Sequence, residues 1–278
     1  MAPETETLVL FGGSVLAGCL GALTGLGGGV VIVSMLVLGF GVDLRYAIGT
    51  SLVAVIATSC GSAAAYVREG YTNTRVAMLL EIATTAGALA GAMLAAYLRS
   101  DVIAYIFAAV VFWSAWNALR DPPQTPGEFA PDPFSARFRL DGSYPTPAGP
   151  KHYRVHRVPA AMGVMLFAGA LSALVGIGSG VVKVFAMDRL MRLPFKVSTT
   201  TSNLMMGVTA AASAGVYLHR GQLEPSLCAP VALGAMAGAL IGTKVLARAK
   251  VRWLRVIFAI TVAASGAQLL IRAIRGEI

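Results

Sequence analysis

The segment Gly25-Leu26-Gly27-Gly28-Gly29 interrupts an apolar run from Leu8 to Val42 that holds no charged residue. A membrane helix needs about 20 apolar residues, so this run is too long for one ordinary span. Glycine is the poorest helix former after proline, and adjacent glycines should break the helix. Non-helical backbone at membrane depth is tolerated only where protein or a water-filled cavity surrounds it. A second run, from Val158 to Val182, is broken in the same way by Gly176-Ile177-Gly178-Ser179-Gly180.

The two clusters belong to a duplication. Adding 151 to a first-half residue number gives its counterpart in the second half without a gap. Gly25, Gly27 and Gly29-Val30-Val31 thereby meet Gly176, Gly178 and Gly180-Val181-Val182. Thr50-Ser51 meets Thr201-Ser202, Tyr66 meets Tyr217, and Ala86-Gly87-Ala88-Leu89 meets Ala237-Gly238-Ala239-Leu240. Apolar bias could match Ala and Leu by accident, but not this ordered set of Gly, Thr-Ser and Tyr. The remaining apolar runs are Tyr46–Val67, Val76–Leu98, Val102–Leu119, Val197–Leu218, Pro225–Thr243 and Val256–Ile271. Between the halves lies a stretch with eight of the 13 prolines and mixed charges, expected to be an extended or disordered extramembrane linker. The chain thus divides into 1–119, a first transmembrane repeat; 120–157, the linker; and 158–278, a second repeat. The expected fold class is an all-α polytopic membrane protein of two inverted-topology repeats, each with a glycine-broken or re-entrant helix.

Composition agrees. Of 278 residues 56% are hydrophobic and 13% charged, with a mean hydropathy of +0.73. Soluble domains carry about 25% charged residues, so a water-soluble enzyme is excluded. The net charge of +9 would suggest nucleic acid in a soluble protein; here it places cations in cytoplasmic loops, and no nucleic-acid partner is expected. Cys19, Cys60 and Cys228 form no CxxC, and His152, His156 and His219 no cluster with metal-ligand spacing. Neither a metal site, a catalytic residue nor a cofactor is indicated. Leu16-Ala17-Gly18-Cys19 has the look of a lipoprotein cleavage box, but Glu4 and Glu6 precede it where a leader needs cations, so the segment is kept as mature protein.

Orientation follows from the cations. If each broken segment contributes two short spans or a re-entrant hairpin, each half crosses an odd number of times. Arg68, Arg75, the six linker cations, Arg189, Arg192, Lys196, Arg248, Lys250, Arg252 and Arg255 then share one side. The other side keeps Arg45, Arg99, Arg220, Arg272 and Arg275, whereas a single crossing per broken segment leaves no asymmetry. The positive-inside rule therefore favours inverted repeats in a bacterial-type inner membrane, with the linker cytoplasmic and both termini outside.

Inverted halves with broken helices are a transporter pattern, in which half-helix ends meet a substrate near the midplane. Unpaired N–H groups there favour an anion, and glycine lets the backbone approach it. The expected substrate-binding residues are Gly25, Gly27, Gly28, Gly29, Gly176, Gly178, Ser179 and Gly180, with Thr50, Ser51, Thr201, Ser202 and Asn203 beside them. The hydroxyl and amide groups open the next helices and could cap them or bind an oxyanion. The spacing Gly87-xxx-Gly91 and Gly234-xxx-Gly238-xxx-Gly242 is assigned to helix packing instead. Neither GxGxxG nor a Walker lysine is present, which excludes a nucleotide loop. Lys183, where the first half has Ile32, either holds the anion or snorkels to an interface. Glu81, opposite Ala232, either carries a coupling proton, pairs with a cation or lies near an interface.

These clusters, with Ala47-Ile48-Gly49-Thr50-Ser51 and Phe195-Lys196-Val197-Ser198-Thr199-Thr200-Thr201-Ser202-Asn203, resemble the sulfite exporter TauE/SafE family over nearly the whole chain apart from linker and termini. The resemblance implies a polytopic transporter of small anions such as sulfite, sulfonates or related organic acids. A proline that often follows the family's glycine cluster is replaced here by Ser34 and Phe185. The expected function is export of sulfite or an organosulfonate by a secondary transporter; the alternatives are uptake of sulfonates or short carboxylates, and an integral-membrane enzyme. Its partners would be the anion, the lipid bilayer, a coupling ion (proton or sodium) and, as an open oligomeric state, a second copy in a homodimer.

Overall fold

A computed structural model describes residues 3–24, 27–119, 132–146, 149–176, 178, 180–246, 260, 263, 266–267 and 270–271. The apolar run before the first glycine cluster forms α1 (Pro3–Thr24), and α2 (Gly29–Ser34) resumes beyond it, continuing into a π-helical turn at Met35–Gly39. Then follow α3 (Leu44–Arg68), α4 (Thr74–Ala95) and α5 (Ser100–Leu119). The second half contributes α7 (Val158–Val175), α8 (Gly180–Phe185) with a π-turn at Ala186–Leu190, α9 (Phe195–His219) and α10 (Pro225–Leu246). The end of α1 and both bounds of α2, its π-turn, α3 and α4 recur 151 residues later. The run Val256–Ile271 lies almost wholly outside the described residues.

Among the described residues five helices, α1, α3, α4, α7 and α10, are long and apolar enough to cross a membrane. Large apolar side chains such as Leu16, Ile82, Phe167 and Leu240 project outward, as a bilayer but not water would allow. The fold is that of an all-α polytopic membrane protein.

The repeats interleave rather than sit side by side. α1 packs along α10 and α4 along α7, while α3 packs on α9. Close approach in both pairs depends on glycine. A Cβ on Gly87 or Gly91 would strike the carbonyls of Leu166 and Ala170, and one on Gly238 or Gly242 those of Val15 and Cys19. Both pairs therefore bring backbone against backbone, the arrangement small residues permit in membranes. Two hydrogen bonds obey the same offset: Tyr66 donates to the Ala22 carbonyl (3.1 Å) and Tyr217 to that of Ala173 (2.9 Å).

The linker corrects the expectation of an extended segment. Its described residues form a short helix, α6 (Pro133–Phe138), and an antiparallel hairpin of β1 (Gly142–Thr146) and β2 (Gly149–Tyr153). Asp132 caps α6 through Phe134 N, with Pro133 in the first turn, a helix-start signal that proline-rich composition obscured. Asn73, the cap of α4, donates to the Leu140 carbonyl (2.8 Å) and the Tyr153 hydroxyl (2.9 Å), so the linker is latched to the start of a membrane helix. Burial pushes the Tyr153 hydroxyl pKa up.

Candidate functional site

Both breaks turn through left-handed backbone, with φ of 78° and 70° at Gly27 and Gly28 and of 70° and 75° at Gly176 and Gly178. L side chains rarely adopt that region, so glycine is required there. The breaks converge on the same two side chains. A Cβ on Gly27 would stand 3.0 Å from Met206 Sδ and 3.4 Å from Val55 Cγ1; one on Gly178 would stand 3.1 Å from Val55 Cγ1 and 3.3 Å from Met206 Sδ. Gly27 and Gly178 are repeat counterparts, and so are Val55 and Met206. The four residues therefore meet where α3 packs on α9.

The polar residues divide into those that hold the breaks and those engaged otherwise. Ser51 donates to the Ile48 carbonyl (2.7 Å) and the Gly176 carbonyl (2.8 Å), tying α3 to the second break. Ser202 reaches the Gly180 carbonyl at 3.4 Å. Thr50 accepts from Cys228 Sγ (3.7 Å) and Thr201 from Asn73 N (3.1 Å). None of the four caps a helix. α3 begins at Leu44 with Asp43 as its cap, its carboxylate accepting from Arg45 N, and Pro194 precedes α9. The hydroxyl residues lie a turn or more inside their helices, because the helices start earlier than the apolar runs. Gly25 and Ser179 lie outside the described residues. Gly28 and Gly29 open α2, and no side chain caps it.

Asn203 is fully buried, and neither Oδ1 nor Nδ2 has a hydrogen-bond partner. Its main-chain carbonyl accepts from Ser59 Oγ at 2.5 Å. Asn203 and Met206 are three apart on α9 and so share a face, which places the amide one turn from the converging breaks. An unsatisfied buried polar group costs about 1–3 kcal/mol.

Lys183 is also wholly buried, which excludes snorkelling. Its Nζ donates to Thr209 Oγ1 (2.5 Å), and the Thr209 hydroxyl in turn lies 2.5 Å from Glu81 Oε1. Lys183 Nζ stands 3.9 Å from Glu81 Oε2. Glu81 is thus paired with a cation. Val55, Met206 and Thr209 were not among the expected residues. The signal was present for Thr209, which recurs as Thr58 across the repeat. Among the described residues no group of His, Cys, Asp and Glu could hold a metal ion.

Paired helices broken at glycine inside an apolar, interleaved bundle define a polytopic membrane protein of the transporter class. The chain belongs to the sulfite exporter TauE/SafE family, whose model matches residues 10–269. It is 25% identical over 274 residues to a probable membrane transporter protein, YunE, of Bacillus subtilis (strain 168), covering 96% of this chain and 97% of that one. A second probable membrane transporter of the same organism, YdhB, is 25% identical over 238 residues, 85% of this chain and 87% of the relative. No solved structure matches the chain. The protein is a multi-pass membrane transporter and not an enzyme.

Proposed function

We propose that the chain is a secondary transporter that exports a small anion, sulfite or an organosulfonate, through a site between the two glycine breaks. The observation that carries this reading is the buried amide of Asn203, unpartnered at both ends, one turn from the point where Gly27 and Gly178 meet Val55 and Met206. A buried amide without partners fits an oxyanion that accepts from Nδ2, with backbone N–H groups at the breaks as further donors. The family name supports sulfite or a relative as cargo. The cation distribution supports inverted repeats in an inner membrane, with the linker cytoplasmic and both termini outside. Lacking an ATP-binding motif, the protein would use an ion gradient or the anion's own gradient.

Counterflow in proteoliposomes, with sulfite, thiosulfate, sulfoacetate and short carboxylates as competing cargo, tests the reading. Saturable exchange of a sulfur oxoanion, lost in Asn203→Leu, is the expected result. Exchange of carboxylates alone would replace the sulfur cargo, and no exchange of any anion would remove the function.

A further inference from the structure

The Lys183–Thr209–Glu81 chain exists once in a frame that is otherwise repeated. At the equivalent places the first half has Ile32 and Thr58 and the second half Ala232, and the Thr58 hydroxyl donates only to its own helix, at the Ala54 carbonyl (2.9 Å). The frame therefore packs without charge at this position. Replacing a buried ion pair by apolar groups is often neutral or stabilising, so packing does not explain why one half keeps the pair. Glu81 Oε2 is buried and has no hydrogen-bond partner. The Glu81 side chain is 12% exposed while Lys183 is sealed at 0%, so Glu81 is the less enclosed member of the pair.

Glu81 is the acid placed against Lys183, its Oε2 3.9 Å from Nζ. α7 carries no charge, and α4 adds only Arg75, bonded to the Arg139 carbonyl. On α9, Lys196 lies over the Tyr71 ring, and His219 closes the helix. At 1.5 Å per residue these two are about 20 Å and 15 Å along the axis from Thr209. α5 has Asp101 in its first turn, the π-turn after α8 carries Asp188 and Arg189 with interactions of their own, and α3 brings Arg45, bonded to the Leu98 carbonyl.

We infer that Glu81, Thr209 and Lys183 form the coupling-proton site of the transporter, and that one proton binds Glu81 for each monovalent anion that binds beside Lys183. This rests on the anion-transport reading and names its coupling ion. The ionised pair sums to zero charge. An anion drawn to Lys183 makes the sum negative, and a proton from water on the Glu81 carboxylate restores it. A proton alone would leave Lys183 buried and uncompensated, which is costly. Each ligand therefore raises affinity for the other. Thr209 serves as a positioning residue, its hydroxyl accepting from Lys183 while it faces Glu81. Anion and proton then cross together as a net neutral unit, so the membrane potential does no work, and export runs when the outward anion gradient exceeds the opposing pH gradient of a more alkaline cytoplasm.

Methanesulfonate is the probe, because its charge is fixed across the working pH range. Binding to the purified full chain is measured in weak buffer with a pH-indicator dye, beside sulfite and acetate. Wild type should take up about one proton per methanesulfonate bound, and wherever that uptake is seen its Kd should rise about tenfold per pH unit. Glu81→Gln should bind without proton uptake and with a pH-independent Kd; Lys183→Met should show neither tight binding nor uptake. Wild-type binding with no proton uptake, or uptake retained in Glu81→Gln, overturns the coupling site and leaves anion transport standing. If Glu81→Gln does not fold, Lys183→Arg takes its place: it keeps the charge and should bind with about one proton taken up per anion, and binding by it without uptake overturns the site. Binding of none of the three anions at any pH overturns the anion-transport reading, and the coupling site with it.

Discussion

Ile32 and Lys183 occupy the same place in the two halves, on the short helix just past a glycine break, and their surroundings differ accordingly. In the first half the short helix packs Val30, Ile32 and Val33 into the apolar core; in the second it is tied by Lys183 to α9 and α4. The backbone around them is otherwise the same, down to the π-turns and the two tyrosine hydrogen bonds. Duplication thus supplied a symmetric frame, and the two halves then took different chemistry at one position. Shared features should respond alike to mutation in either half, and Lys183 should respond alone.

The largest expected effect breaks the symmetric part. Gly27→Leu and Gly178→Leu should each abolish flux in proteoliposomes, since both positions need positive φ and both meet Val55 and Met206. Gly39→Leu, where a side chain meets open space, should transport nearly normally. Normal flux in well-folded Gly27→Leu would detach the breaks from transport. Opposite sides of the membrane are expected for reporters placed in the linker and after Gly276; finding both in the cytoplasm would rule out inverted repeats.

Next comes the asymmetric part. A charge-assisted hydrogen bond contributes about 1.5–3 kcal/mol, so Lys183→Met should weaken anion binding about ten- to hundredfold. Lys183→Arg should retain part of the affinity, because charge survives while donor geometry changes. Ile32→Met, measured in parallel, should leave the Kd within about twofold. Equal losses at both positions would mean that packing, not charge, sets the affinity.

The smallest effects sharpen the symmetry. Gly87→Ala and Gly238→Ala each force a Cβ against backbone, and each should cost about 1–3 kcal/mol, read as a matched fall in thermal midpoint. Tyr66→Phe and Tyr217→Phe should each cost about 0.5–1.5 kcal/mol, again by similar amounts. A large difference within either pair would show that the halves carry unequal loads.

Much of this architecture is legible in residue order, because glycine clusters and a fixed offset survive in one dimension. The break after Thr24, the resumption at Gly29 and the packing role of Gly87 and Gly238 all follow from local helix propensity and small-residue spacing. Asp43 caps α3 ahead of the apolar run starting at Tyr46, so hydropathy alone places the helix start too late. The convergence of Val55 and Met206 was not readable, since an apolar residue in an apolar helix carries no mark. Pairing of Glu81 with Lys183 joins residues about a hundred apart through a third helix, and nothing local records it. The hairpin in the linker was hidden by proline, which at Pro145 and Pro150 sits in strands of a two-stranded ribbon, where edges tolerate it.

Interleaving of the halves bears on how the protein is made. α1 lies along α10, yet Pro3 leaves the ribosome roughly 220 residues before Pro225. At about 5–20 residues per second, α1 waits roughly 10–45 s for its partner. During that interval the face of α1 at Phe11, Val15 and Cys19, which receives Gly234, Gly238 and Gly242 of α10, meets lipid or the insertion machinery. α4 waits likewise, though less long, for α7. A ribosome stalled in the linker would release two such unfinished helices into the membrane, whereas expression of 1–119 and 132–278 as separate chains should yield stable protein only when both are present together.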